Sequence, residues 1–149
     1  MQINKRNIIF LIIKIVLIVL IIYLTYKYIF GIYIVKNNNY KSININPHDF
    51  LIYYKIEKDY QNNDIVFYKN NIYRIVGTKG QVISKKGNKI FIDSDIYFEN
   101  IEYSYEYPYT IKDNELFLMN DINDSRSFGL IDKNNISGKL LFRMQIRDF

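Results

Sequence analysis

The stretch "IIFLIIKIVLIVLIIYLTY", from Ile8 to Tyr26, constrains this chain more than anything after it. It is apolar apart from Lys14 and Thr25. A hydrocarbon core about 30 Å thick is crossed by about 20 helical residues, so the run is long enough to span a bilayer. A cleavable secretory leader has a shorter apolar core and a small-residue cleavage site. Here no such site follows, and the exit carries Tyr23, Tyr26, Tyr28 and Tyr33, which suit a membrane–water boundary. The run reads as an uncleaved anchor. It divides the chain into a cytoplasmic N-terminus (1–7), a transmembrane anchor (8–26) and an extracytoplasmic domain (27–149). Lys5 and Arg6 favour an N-terminus inside the cell, although Lys27, Lys36 and Lys41 weaken the charge asymmetry. Lys14 can lean its stem toward the near interface, yet its charge still opposes insertion.

The remainder is one modest domain, and its residue types exclude several functions. There is no cysteine, so neither a disulfide framework nor a Cys-based metal site is available. The net charge of +5 comes from basic residues scattered among acidic ones, with no basic face or nucleic-acid module. The single histidine, His48, has no nearby partner for a metal site or a Ser-His-Asp arrangement, and reads as a surface loop residue. No cofactor or metal is expected, and no nucleic-acid partner.

After a polar break at "KNNNYKSININPHD" come short runs rich in Ile, Val, Phe and Tyr, bounded by Asn, Asp and Gly. They predict strands over 50–56, 64–70, 71–77, 80–87, 89–94, 115–121 and 138–146. Asn70-Asn71 and Gly87-Asn88 are expected to form tight hairpin turns. No later segment has sustained helical periodicity, so the fold class is mostly β, an antiparallel barrel or sandwich behind one N-terminal transmembrane helix.

Several of these segments resemble one family in order. "HDFLIYYKI" and "NDIVFYKN" resemble the Gly-Asp-hydrophobic-Val-hydrophobic strands of type I signal peptidases. "YRIVGTKGQVI" is similar to the family's Lys-Arg-hydrophobic-Ile-Gly-x-x-Gly-Asp segment. "MNDINDSRSFGLIDKNNISGKLLFRM" resembles the Gly-Asp-Asn to Asp-Ser-Arg-x-x-Gly segment and the Ile-x-Gly-Lys-x-x-Phe-Arg end that follows. The resemblance implies an antiparallel signal-peptidase-like β domain outside the cytoplasmic membrane, with an apolar face against the bilayer. Asp64, Arg74, Gly77, Asp124, Ser125, Arg126 and Gly129 match the structural motif, and Asp124 and Arg126 would brace the fold beside the site.

The resemblance also implies where the chemistry should sit. The family's serine hydroxyl attacks a signal-peptide carbonyl while a neutral, desolvated lysine takes its proton and a second serine orients the amine. Counting from the membrane exit puts the nucleophile at Asn39, and counting back from Asp49 puts it at Tyr40. Ser42 is a possible nucleophile, but "SININP" lacks the family's Met and Pro. The lysine position holds Tyr73, whose phenol, with an ordinary pKa of about 10, keeps its proton at neutral pH. The orienting serine is replaced by Ile122. Dyad members act as a unit, so such losses predict a catalytically degenerate, non-catalytic binding or chaperone factor. Its expected partners are the membrane and exported proteins or pilin subunits, with a sortase nearby. The alternatives are an active peptidase using Ser42 with Lys69 or Lys79, and an unrelated membrane-anchored β module.

Overall fold

Aliphatic side chains with no Gly or Pro interruption let the N-terminal run form one unbroken helix, α1 (Lys5–Tyr28), of 24 residues. None of them is buried against the rest of the protein. The helix exceeds the expected span by three residues at its start and two at its end. The computed structural model describes residues 5–36, 40, 44–87, 89–93, 95–99, 106–122 and 125–145, with backbone only for 95–99, 121–122 and 125–128.

Only Ile29 separates α1 from β1 (Phe30–Ile34). A helix end leaves carbonyls without partners, and here Lys55 caps them. Its Nζ donates to Tyr26 O at 3.2 Å and to Lys27 O at 3.0 Å, while its backbone N–H donates to Ile29 O at 2.8 Å. Helix and domain are therefore fastened across a single residue, Ile29.

The domain continues as β2 (Phe50–Tyr54), β3 (Ile65–Tyr68), β4 (Asn71–Gly77), β5 (Val82–Lys86), β6 (Lys89–Ile92), β7 (Asp95–Glu99), β8 (Tyr109–Thr110), β9 (Glu115–Ile122), β10 (Ser125–Asp132) and β11 (Gly138–Met144). A seven-stranded sheet runs β1-β2-β11-β3-β4-β9-β10, and a four-stranded sheet runs β7-β6-β5-β8. Every pairing between strands is antiparallel. Seven strands lie where the residue pattern predicts them. β1, β7, β8 and β10 are additional. Only Thr25 and Lys27 interrupt the apolar and aromatic run from the end of α1 into β1, with no turn former between them, which masks β1, and β10 lies inside the segment read only as a motif.

One turn is corrected. Tyr68 pairs with Asn71, so the hairpin loop is Lys69-Asn70, both at positive φ (46° and 61°), rather than Asn70-Asn71. Register explains the shift: it sets Phe67 opposite Ile72 and Val66 opposite Tyr73, keeping each apolar set on its own face. At the next hairpin Gly87 has φ 59° and follows Lys86, which pairs with Lys89, while Asn88 lies outside the described residues.

Strand alternation divides the large sheet into two faces. One face, called here the anchor face, carries Phe30, Ile32, Ile52, Tyr54, Lys139, Val66 and Tyr73, joined by the cross-strand register. Toward β9 this face buries Val66, Ile75, Leu116, Leu118, Tyr60 and Ile136. Toward β1 it opens into an apolar groove of about 460 Å³ against α1, lined by Ile21, Ile22, Tyr26, Phe30, Ile52 and Leu141, among others. The opposite, inner face buries Leu51, Phe67 and Ile72 under the loop residues Val35, Tyr40 and Ile45. Further along it, Val76, Phe117 and Met119 pack against Ile83, Ile90 and Ile92 of the second sheet. Space is tight at Gly77 in this junction: a Cβ there would lie 2.7 Å from Ile111 Cδ1 and 3.1 Å from Phe117 Cβ.

Candidate functional site

Two equivalent turns frame the region where the chemistry is expected. His48-Asp49 leads into β2 and Asn63-Asp64 leads into β3. His48 and Asn63 stand in the glycine positions of the family's Gly-Asp pairs, and they have φ of 69° and 70°. Both residues thus adopt a left-handed backbone, which glycine takes most freely. L-residues other than glycine are strained there by about 1 kcal/mol or more, with Asn least affected. His48→Gly is therefore expected to stabilise the domain by about 1 kcal/mol, read as a higher denaturant midpoint, and Asn63→Gly by less.

Each aspartate closes its own turn. Asp49 Oδ2 accepts from Asn46 N at 2.8 Å, and Asp64 Oδ2 accepts from Gln61 N at 2.8 Å. Both are then held by β11: Arg143 Nη2 lies 2.8 Å from Asp49 Oδ2, and Lys139 Nζ lies 2.7 Å from Asp64 Oδ2. The N–H vectors of Arg143 point off the line to the carboxylate, so charge carries that contact rather than an aligned hydrogen bond. Residues 139 and 143 would share a face on a regular strand. A bulge between Leu140 and Phe142 inserts one residue and reverses the alternation. Lys139 thus faces the anchor side with Tyr54 and Val66, and Arg143 faces the inner side with Leu51. One strand clamps two turns on opposite faces.

Of the expected catalytic positions, only Tyr40 and Tyr73 have described side chains, and the two do not come together. Tyr73 lies on the anchor face, opposite Val66. It packs against the Val66, Ile75 and Leu118 cluster, with its ring 5.8 Å from that of Tyr68, edge to face. Tyr40 is fully buried on the inner face among Val35, Ile45, Leu51, Phe67 and Ile72. Its backbone exchanges hydrogen bonds with Ile45 at 3.0 and 3.3 Å. Both tyrosines are packing residues, on opposite sides of the sheet.

Arg74 follows Tyr73 and so faces inward, opposite Ile65 and Met119. Asn120, one residue beyond Met119, shares Tyr73's face and is buried at 3% exposure. Residue patterning put it in the 115–121 strand without marking it as buried. Ile122 ends β9 with its backbone paired to Ser125, and Arg126 pairs with Asp121. Their side chains lie outside the described residues, as do Asn39, Ser42 and Asp124 entirely. Gly129 pairs with Leu118 and is buried.

Neither lysine offered as a substitute base is enclosed. Lys69 is exposed over the Tyr68 ring, 5.2 Å from its centroid, and Lys79 is exposed and paired with Asp113. A lysine base requires the apolar enclosure that both lack. Where the family's Gly-x-x-Gly-Asp ends in Asp, this chain has Gln81, which sequence reasoning passed over. Gln81 Oε1 accepts from Thr78 N (2.9 Å) and Asn62 Nδ2 (2.8 Å), and its Nε2 donates to Asp93 Oδ2 (2.9 Å). The Val82 amide and Gln81 together hold the Asp93 carboxyl below the usual carboxylate range. This is turn architecture rather than catalysis.

The frame and the anchor agree with one comparison. Residues 8–145 match the sequence profile of the family described as Signal peptidase, peptidase S26. No curated protein matches the chain. With the match running from α1 through the clamping strand β11, the chain belongs to the signal peptidase S26 family.

Proposed function

We propose that this chain is a membrane-anchored member of the family that lacks Ser/Lys chemistry and acts as a non-catalytic binding or chaperone factor. Its clients on this reading are exported surface proteins or pilin subunits, with a sortase as a neighbouring partner in assembly. The observation that carries the reading is the use of Tyr40, at 0% exposure, and Tyr73 as packing residues on opposite faces. A nucleophile and its base must lie within hydrogen-bond reach, and two tyrosines separated by a sheet do not.

In this reading α1 spans the cytoplasmic membrane with its N-terminus inside and the β domain outside. The anchor face then rests on the outer leaflet, and its exposed residues support that placement. Ile32, Ile34, Phe142 and Met144 are 43%, 56%, 54% and 49% exposed and continue the apolar lining of the groove. An apolar surface of this kind is ordinarily covered.

The decisive measurement is cleavage of a preprotein bearing a signal peptide by the purified full chain in detergent micelles. The expected result is no product above the protein-free control, and none from Tyr73→Lys, because a lysine there faces away from position 40. Cleavage by the wild type that Ser42→Ala abolishes would establish the active-peptidase alternative instead.

A further inference from the structure

Lys14 lies deep in the membrane-spanning segment. Two cationic residues mark the ends of that segment: Arg6, stacked on Phe10 at 5.7 Å, and Lys27, within 5.9 Å of Tyr23 and 5.2 Å of Tyr28. At 1.5 Å per residue, the helix between Arg6 and Lys27 spans about 31 Å, which matches a hydrocarbon core of about 30 Å. The midplane then falls between residues 16 and 17, and the Lys14 Cα lies about 4 Å from it. The level of Arg6 is about 12 Å away, roughly twice the reach of a lysine stem, so leaning toward the interface does not bring the ammonium to water.

Nothing in the described chain answers this charge. No residue of α1 is buried, and no ion pair involving Lys14 is formed. From Ile8 to Leu24 the helix contains no Gly, Ala or Ser, so close approach through small residues, the usual basis of apolar helix pairing, is unavailable. A second copy would bring two lysines to the same depth, and that repulsion disfavours self-association through this segment. A charge at the midplane is stabilised by an opposite charge at the same depth.

We propose that α1 is a docking helix for a partner transmembrane helix that carries a single Asp or Glu near the bilayer midplane, with Lys14 as the recognition residue. This rests on the reading of α1 as a membrane span, and it adds a partner within the bilayer to the clients proposed outside it.

The test places the full chain in phosphatidylcholine vesicles with synthetic polyleucine transmembrane peptides carrying Glu, Gln or Leu at the central position. Association is read by energy transfer between labelled peptide and labelled protein. The Glu peptide is expected to associate about fivefold more strongly than the Leu peptide, with Gln between them, and Lys14→Leu is expected to remove the preference. Energy transfer between copies of the chain should be low and should rise in Lys14→Leu. Equal association of the Glu and Leu peptides overturns the proposal, because Lys14 is then satisfied by headgroups or water. Alkaline carbonate extraction of the same vesicles separates the two readings: release of the chain refutes the anchor, whereas retention without a Glu preference refutes only the docking role.

Discussion

Arg143→Leu is expected to lower the unfolding free energy of the domain by about 3–5 kcal/mol, the cost of leaving a buried charge unpaired. Asp49 is 2% exposed, and its Oδ2 receives both the Asn46 amide and the Arg143 guanidinium. Without the arginine, the Asn46 N–H is the one partner left to the Asp49 carboxylate among the described residues. The pair itself need not stabilise, because desolvating two charges offsets much of their attraction; the asymmetry appears when one partner is removed. Asp49→Asn combined with Arg143→Leu should therefore recover more than half of the loss. Denaturant unfolding of the full chain in micelles, followed by circular dichroism, measures both. An Arg143→Leu loss below about 1 kcal/mol would show that water reaches Asp49.

Gly138→Ala should be nearly as damaging, at about 3 kcal/mol, for a steric reason. A Cβ on Gly138 would sit 2.6 Å from Tyr54 O and 2.6 Å from Tyr53 Cδ2. Tyr54 O is backbone of the neighbouring strand, and the Tyr53 ring is stacked on Phe67 at 4.4 Å, so neither can yield cheaply. β11 would have to move away from β2 at the start of the strand that clamps both aspartates. Gly80→Ala is the control, since that residue has φ 84° and nothing within 4 Å of the added Cβ. It should cost only the left-handed penalty of about 1 kcal/mol. Equal losses at the two positions would contradict the packing argument. Gly31→Ala should also cost more than Gly80→Ala, because its added Cβ would overlap Cζ of the same stacked Tyr53 ring.

Local patterning exposed most of the sheet before any coordinates. The run "NIYRIVG" is β4 residue for residue, because its branched and aromatic side chains are bounded by turn formers. The position expected of the base, Tyr73, follows from Arg74 alone, and the structure shows that residue packed in the anchor-face cluster. Three things were not legible, each because it depends on residues distant in sequence. The bulge near Leu141 has no mark in "GKLLFRM", yet it decides that Lys139 and Arg143 serve opposite faces. His48 looks like a stray histidine until its φ shows it occupying a glycine's place. The opposed placement of Tyr40 and Tyr73 depends on how the loop from Val35 to Asp49 folds over the inner face, and spacing cannot express that.

The joint at Ile29 has a consequence for reach. A flexible linker of n residues would let a tethered domain sweep a radius of about 5–6 Å times the square root of n. Here the linker is one residue, with Lys55 bonded across it to the last carbonyls of the helix. The domain has no radius of action. With α1 in the bilayer, as proposed, it cannot search the space above the membrane, and its height and heading are those of the helix that carries it. On the proposed reading of α1 as a membrane span, a partner that shares the bilayer must come to the domain at that fixed height, so their encounter is a two-dimensional event governed by lateral diffusion.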